Sequence, residues 1–76
     1  MVTAYVMVKA NTGEADRLKS EMVGLDGVES VNIVAGDVDF IVKVSVDQPA
    51  QVKEIVADHI QAIDGVEDTQ TYISMD

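Results

Sequence analysis

The phrase Leu-Asp-Gly-Val-Glu-Ser at residues 25–30 returns as Ile-Asp-Gly-Val-Glu-Asp at residues 63–68. Gly27 and Gly65 stand 38 residues apart, and the same offset pairs Leu25 with Ile63, Asp26 with Asp64, Val28 with Val66 and Glu29 with Glu67. It continues upstream, where Leu18 meets Val56, Met22 meets Ile60, and the run MVTAYVMV meets DFIVKVSV. Each half therefore reads alike: an apolar strand, an amphipathic helix, an Asp-Gly turn and a second strand. A chain of 76 residues built this way has little room for anything else. The repeated phrase itself reads as structural punctuation, a helix stop and strand start used once per half.

Local patterns support each element. Residues 2–9 alternate, with Val2, Ala4, Val6 and Val8 on one face, and residues 40–46 do the same with Phe40, Val42, Val44 and Val46. Ala15, Leu18, Met22 and Leu25 form a helical stripe over residues 13–24. Val52, Ile55, Val56, His59, Ile60 and Ile63 form a second over residues 49–63, with Pro49 suited to its first turn and Asp47 as its N-cap. Gly27 and Gly65 are expected to end the helices. Two such halves in tandem predict an α+β fold, ferredoxin-like βαββαβ, with a four-stranded antiparallel sheet and two helices on one face. Right-handed crossovers put the strands of residues 2–9 and 40–46 at the sheet centre. The opposite face then carries Tyr5, Met7, Val34, Ile41 and Tyr72, too apolar to stay wet in a monomer. The simplest cover is a second copy, sheet against sheet, giving a dimeric α/β barrel with the same patch on both chains.

Size argues the same way. A domain this small buries about 60% of its unfolded surface and gains stability from disulfides, metals or self-association. The chain has no cysteine and one histidine, His59. Disulfides, zinc-thiolate sites and an imidazole cluster within one chain are thereby removed, and no cofactor is implied. Self-association is the route left open. Apolar residues make up 47% of the chain, which marks it as folded. No apolar run approaches the roughly 20 residues that cross a bilayer, and no secretory signal is visible, so a cytoplasmic address is expected.

Five basic residues stand against fourteen acidic ones, for a net charge of −9. Phosphate neutralisation dominates non-specific DNA affinity, so a surface of this sign is a poor direct partner for nucleic acid. The acidity has two readings: a basic partner, or a solvated surface suited to high internal salt, as in a halophilic archaeon.

The candidate chemistry is sparse. Residues 35–40, Ala-Gly-Asp-Val-Asp-Phe, join the second and third strands. Gly36, Asp37 and Asp39 read either as hairpin-turn residues or as a backbone-plus-carboxylate pocket for the two charges of an α-amino acid. Thr69 and Thr71 share one face of the last strand and read either as ordinary strand composition or as hydroxyls lining a polar pocket. His59, on the apolar stripe, reads as a partly buried helix histidine, with an acid–base role as the alternative. Met7, Met22 and Met75 look like packing residues and not a metal set. No phosphate-cradling loop or nucleophile elbow is present, so no catalytic residue is assigned.

Assembled, these features resemble the ligand-binding (RAM) domain of the Lrp/AsnC regulators, in its stand-alone form without a DNA-binding domain. The resemblance runs across residues 1–76 as one domain. It is carried by the Ala-Tyr-Val first strand, Gly-x-x-Asp at Gly36 to Asp39, and Gly-Val followed by Thr-x-Thr at Thr69 to Thr71. It implies sheet-to-sheet dimers that assemble into rings, commonly octamers, with amino acids bound where dimers meet. It points to Gly36, Asp39, Thr69 and Thr71 as ligand contacts, with Asp37 beside them. Similar sequences often carry Pro where this chain has Asp26 and Asp64, and a basic residue where it has Gln61. The function implied is a non-enzymatic amino-acid-binding and oligomerisation module that modulates Lrp/AsnC-type transcriptional regulation, with full-length regulators as partners. The alternatives are a small dimeric α/β-barrel enzyme using His59 and a purely structural adaptor.

Overall fold

A computed structural model describes residues 1–76, apart from the side chain of Thr12. The strands are β1 (Val2–Ala10), β2 (Val28–Ile33), β3 (Phe40–Val46) and β4 (Val66–Ile73). The helices are α1 (Ala15–Val23), entered through a 3₁₀ turn at Thr12–Glu14, and α2 (Pro49–Glu54), which runs on into a π-helical stretch at Ile55–Ile60. The sheet order is β2-β3-β1-β4 with every neighbouring pair antiparallel, the ferredoxin-like βαββαβ arrangement.

The period-2 patterns decide which face is covered. Ala4, Val6, Val8 and Ala10 of β1 and Phe40, Val42 and Val44 of β3 are buried, and they meet Leu18, Met22, Val52, Ile55, Val56 and Ile60 from the helices. Register holds the two central strands together, from Val2 opposite Val46 to Val8 opposite Phe40.

The repeated phrase forms the same turn twice. Val28 N donates to Leu25 O and Val66 N to Ile63 O, each at 3.2 Å. Asp and Gly fill the two central positions, and Gly27 (φ 91°) and Gly65 (φ 107°) supply the positive φ that the second centre of a type II turn requires. The glycines therefore serve the strand-opening turn. The helical bonding itself stops earlier, at Val23 and Ile60, a correction to the expectation that they end the helices.

Three further expectations shift. The sequence pattern starts the first helix at residue 13. Instead the Asn11 side chain accepts from Gly13 N at 3.1 Å and tightens residues 12–14 into a 3₁₀ turn. Asp47 is not the N-cap of α2; that place falls to Gln48, because Gln51 Oε1 reaches back to accept from both Asp47 N (3.0 Å) and Gln48 N (2.8 Å). His59 is exposed and off the apolar stripe. The helix is π-bonded here, with Gln61 N donating to Val56 O at 2.9 Å. Val56 and Ile60 lie on its buried side and His59 does not.

Candidate functional site

The β2–β3 hairpin is pinned from inside. Val34 N donates to Asp39 O and Asp39 N to Val8 O, each at 2.9 Å. The Asp39 carboxylate is committed as well: Oδ2 accepts from Ala10 N at 2.9 Å and holds the end of β1. Gly36 and Asp37 at the tip are exposed, and a Cβ at Gly36 would meet no atom within 4 Å. The tip is thus open space around free backbone, with Asp37 as its outward carboxylate.

Thr69 and Thr71 sit on β4, in register with Val8 and Val6, which puts both on the helix-covered side of the sheet. Thr69 Oγ1 accepts from Gln61 Nε2 at 2.7 Å, tying the end of the π-helical stretch to the edge strand. Thr71 is exposed. Phe40, next to Asp39, and Thr69 both pair with Val8, so the hairpin and the threonines occupy one end of the sheet with β1 between them. Two strand spacings, about 9–10 Å, separate those rows. One chain therefore does not gather Gly36, Asp37, Asp39, Thr69 and Thr71 around a single small ligand.

On the open sheet face, Tyr5 lies opposite Tyr72 and Met7 opposite Ile41. Tyr5 is 38% exposed and Tyr72 51%, large values for aromatic rings set side by side. Val34 is half-buried at the hairpin end of the same face. Charges on this face come in opposite pairs: Lys9 is in register with Asp68, and Lys43 Nζ lies 3.5 Å from Glu29. The face is apolar and close to neutral, so most of the −9 resides elsewhere.

Two concavities flank the helices. A cleft of about 620 Å³ lies at the opposite end of the sheet from the hairpin, where Asp26, Asp47, Glu54 and His59 stand around Gly27 and Ile55. Among the described residues no three His, Cys, Asp or Glu side chains are placed to hold a metal ion. The second is a groove of about 300 Å³ between α2 and β4, walled by Val52, Val56, Ala57 and Ile73, with Lys53 and Thr71 at its edges. Sequence reasoning singled out Thr71 but missed the rest of this groove. The signal was available: the offset that aligns the halves sets Gln61, Thr69 and Thr71 on Val23, Val31 and Ile33. No helix is long and apolar enough to cross a membrane.

Comparison with known proteins agrees with this architecture. The family model of the Lrp/AsnC ligand binding domain matches residues 3–76. An HTH-type transcriptional regulator of Pyrococcus abyssi (strain GE5 / Orsay) is 32% identical over 77 residues, covering 97% of this chain and 51% of the regulator. The leucine-responsive regulatory protein of Klebsiella pneumoniae is 25% identical over 75 residues, covering 95% of this chain and 46% of that protein. The crystal structure of TTHA0845 from Thermus thermophilus superposes with a TM-score of 0.94 at 25% identity, covering 100% of this chain and 95% of that one. The chain spans about half the length of the curated relatives it matches.

Proposed function

From the premise that this chain belongs to the Lrp/AsnC ligand-binding domain family, we propose that it is a non-enzymatic, amino-acid-responsive oligomerisation module that tunes transcriptional regulation of the Lrp/AsnC type. The observation that carries this reading is the bare sheet face. Tyr5, Met7, Val34, Ile41 and Tyr72 form an apolar, charge-balanced patch on an otherwise strongly acidic chain. A second copy covers it by a two-fold axis, and because the charges on this face are paired, two chains of −9 meet there with less repulsion than an unpaired acidic surface would give.

The placement of the separated residues supports ligand control. The hairpin Gly36-Asp37-Val38-Asp39 and the Thr69–Thr71 pair sit at one end of the sheet but on opposite flanks of β1. A ligand touching both sets draws one from each of two copies. An amino acid bound across such a contact favours the assembly containing it, and the shift equals the difference in its affinity for the two states. Full-length relatives are the natural partners, joined through the same faces in the cytoplasm. Direct nucleic-acid binding is disfavoured by the charge.

The test is light scattering behind a sizing column, at low and at molar salt, with and without a mixture of the twenty amino acids. A dimer that grows to a defined larger ring with the mixture is the expected result. A mass that ignores amino acids at every salt would refute ligand control and leave a structural adaptor.

A further inference from the structure

We propose that the cleft beside the first Asp-Gly turn, walled by Asp26, Asp47 and Glu54, takes the guanidinium of an arginine presented by a basic segment of another protein. The repeat shows what such a place holds. Beside the second turn, Arg17 Nη2 donates to Asp64 O at 3.0 Å, while Glu14 and Glu21 hold the same guanidinium at 2.7 and 2.6 Å. A cation from within the chain thus meets that turn carbonyl. At the first turn the equivalent carbonyl is Asp26 O, and the repeat puts Ile55 where the other half has Arg17. Ile55 brings no donor. Asp26 O accepts no backbone or side-chain hydrogen bond among the described residues. A second exchange runs the same way, since Asp47 stands where the other half has Lys9. Two cations of one half are therefore an apolar group and a carboxylate in the other. None of Asp26, Asp47 and Glu54 takes part in an ion pair among the described residues.

The cleft's size and lining define the occupant. About 620 Å³ leaves room for a side chain and its flanking backbone. Leu25, Val46 and Ile55 line it beside the acids and suit an aliphatic stem. A guanidinium presents five donors in a planar fork, so one group serves a turn carbonyl and flanking carboxylates together, as Arg17 does. An ammonium is a point charge without that fork. A divalent ion fits less well, because among the described residues no three His, Cys, Asp or Glu side chains are placed to hold one. A second copy of the chain is not the donor: its one arginine is Arg17, already held by Glu14, Glu21 and Asp64 O. The partner is a different protein, and a basic one, because a chain of −9 draws positive charge and repels negative. Leu25, Val46 and Ile55 pack with the helix-side core, so a copy seated on the bare sheet face does not cover the cleft. Its occupancy is independent of the ligand control proposed above.

The experiment is a two-dimensional amide NMR titration of the intact chain at about pH 8, so that histidine adds no positive charge to the lining. The probe is a blocked Gly-Arg-Gly peptide, with its citrulline twin as the neutral isostere. The arginine peptide is expected to move the signals of Asp26, Gly27 and Glu54, and the citrulline peptide to leave them in place. Asp47→Asn combined with Glu54→Gln, both exposed positions, should weaken binding by about threefold or more. Arg17→Ala should open the equivalent place, so that the same peptide then moves Asp64 and Gly65 as well. Equal binding of the citrulline peptide overturns the proposal. So do shifts spread over the acidic surface that survive the double variant, which reduce the effect to general charge attraction. A peptide that moves only Asp64 and Gly65, and only in Arg17→Ala, confines the guanidinium place to the second turn and overturns it. No shift at millimolar peptide overturns it too. A change of assembly mass in the double variant without peptide makes the cleft a contact between copies and overturns it as well.

Discussion

Arg17 and Ile55 occupy the same place in the two halves of the repeat, and each reaches across to the Asp-Gly turn of the other half. They do so by different physics. Ile55 is 7% exposed and packs onto the first turn so closely that a Cβ at Gly27 would lie 2.7 Å from its Cδ1. Arg17 lies at the surface. Its Nη2 donates to Asp64 O at 3.0 Å, while Glu14 and Glu21 hold its guanidinium at 2.7 and 2.6 Å. The hydrogen bond to Glu14 is the main influence holding that guanidinium's pKa above its ordinary value, so it stays charged. One turn is fastened by the tight packing of Ile55, and the other, in ordinary contact with Leu18, is also tied by an exposed charge. The backbone of the turn repeats, but the contact that secures it does not, so the halves should respond differently to the same perturbation.

The glycines give the largest contrast. Gly27→Ala meets both a positive φ and the side chain of Ile55, with Val46 Cγ1 at 3.0 Å behind it. The two costs together come to about 4 kcal/mol. Gly65→Ala meets only the φ penalty, since its nearest neighbour, Leu18 Cδ2, is 3.4 Å away. That change costs about 1–2 kcal/mol. Urea midpoints at constant m measure both. In an Ile55→Val background, which removes the offending atom, the Gly27→Ala cost should fall by about 1 kcal/mol. Equal costs at the two glycines would erase the distinction drawn between the turns.

The fasteners themselves come next. Ile55→Ala should cost about 3 kcal/mol, the same at low and molar salt, because it opens a cavity in a buried site. Arg17→Ala should destabilise less, and its effect should shrink as salt rises, because its ion pairs are exposed and screened. Parallel denaturation of both variants at two salt concentrations separates the cases. A salt-independent Arg17 effect would mean that the aliphatic stem, and not the charge, holds the second turn.

Sequence alone carried the parts of this molecule whose causes are local. Alternation in residues 2–9 and 40–46 named the central strands and the covered face, because burial with period 2 is written in the side chains themselves. The Asp-Gly turns were legible because only glycine takes their φ readily. What was missed depends on which partners the backbone and side chains take in the folded chain. His59 lies at the surface of a π-bonded stretch, which the helical stripe does not reveal. Gln51 displaced Asp47 as the organiser of the helix start by reaching back to two amides. The Asp39 carboxylate, one of the expected ligand contacts, also accepts from Ala10 N, 29 residues away, a tie that the sequence does not reveal. The groove between α2 and β4 was hidden for the opposite reason. Lys53, Gln61 and Thr71 look ordinary one by one, and they stand out only against Ala15, Val23 and Ile33 at the equivalent places.

The smallest expected effect bears most directly on whether the repeat encodes a turn independent of its surroundings. Asp26 and Asp64 each hold the first central position of their turns, a place where proline is common because its fixed φ matches the type II geometry. Neither backbone N–H donates to another backbone group outside the helices and strands among the described residues, so proline forfeits no such bond there. Asp64→Pro also keeps the carbonyl that Arg17 uses. Each substitution should therefore stabilise the chain by about 0.4–1 kcal/mol, chiefly by restricting the unfolded state. The two gains should be equal within error, because the turn is the same although one is packed by Ile55 and the other tied by Arg17. A gain at Asp26 alone, read from thermal unfolding of the two single variants, would show that the exposed turn is held in its shape by Arg17 and not by its own Asp-Gly sequence.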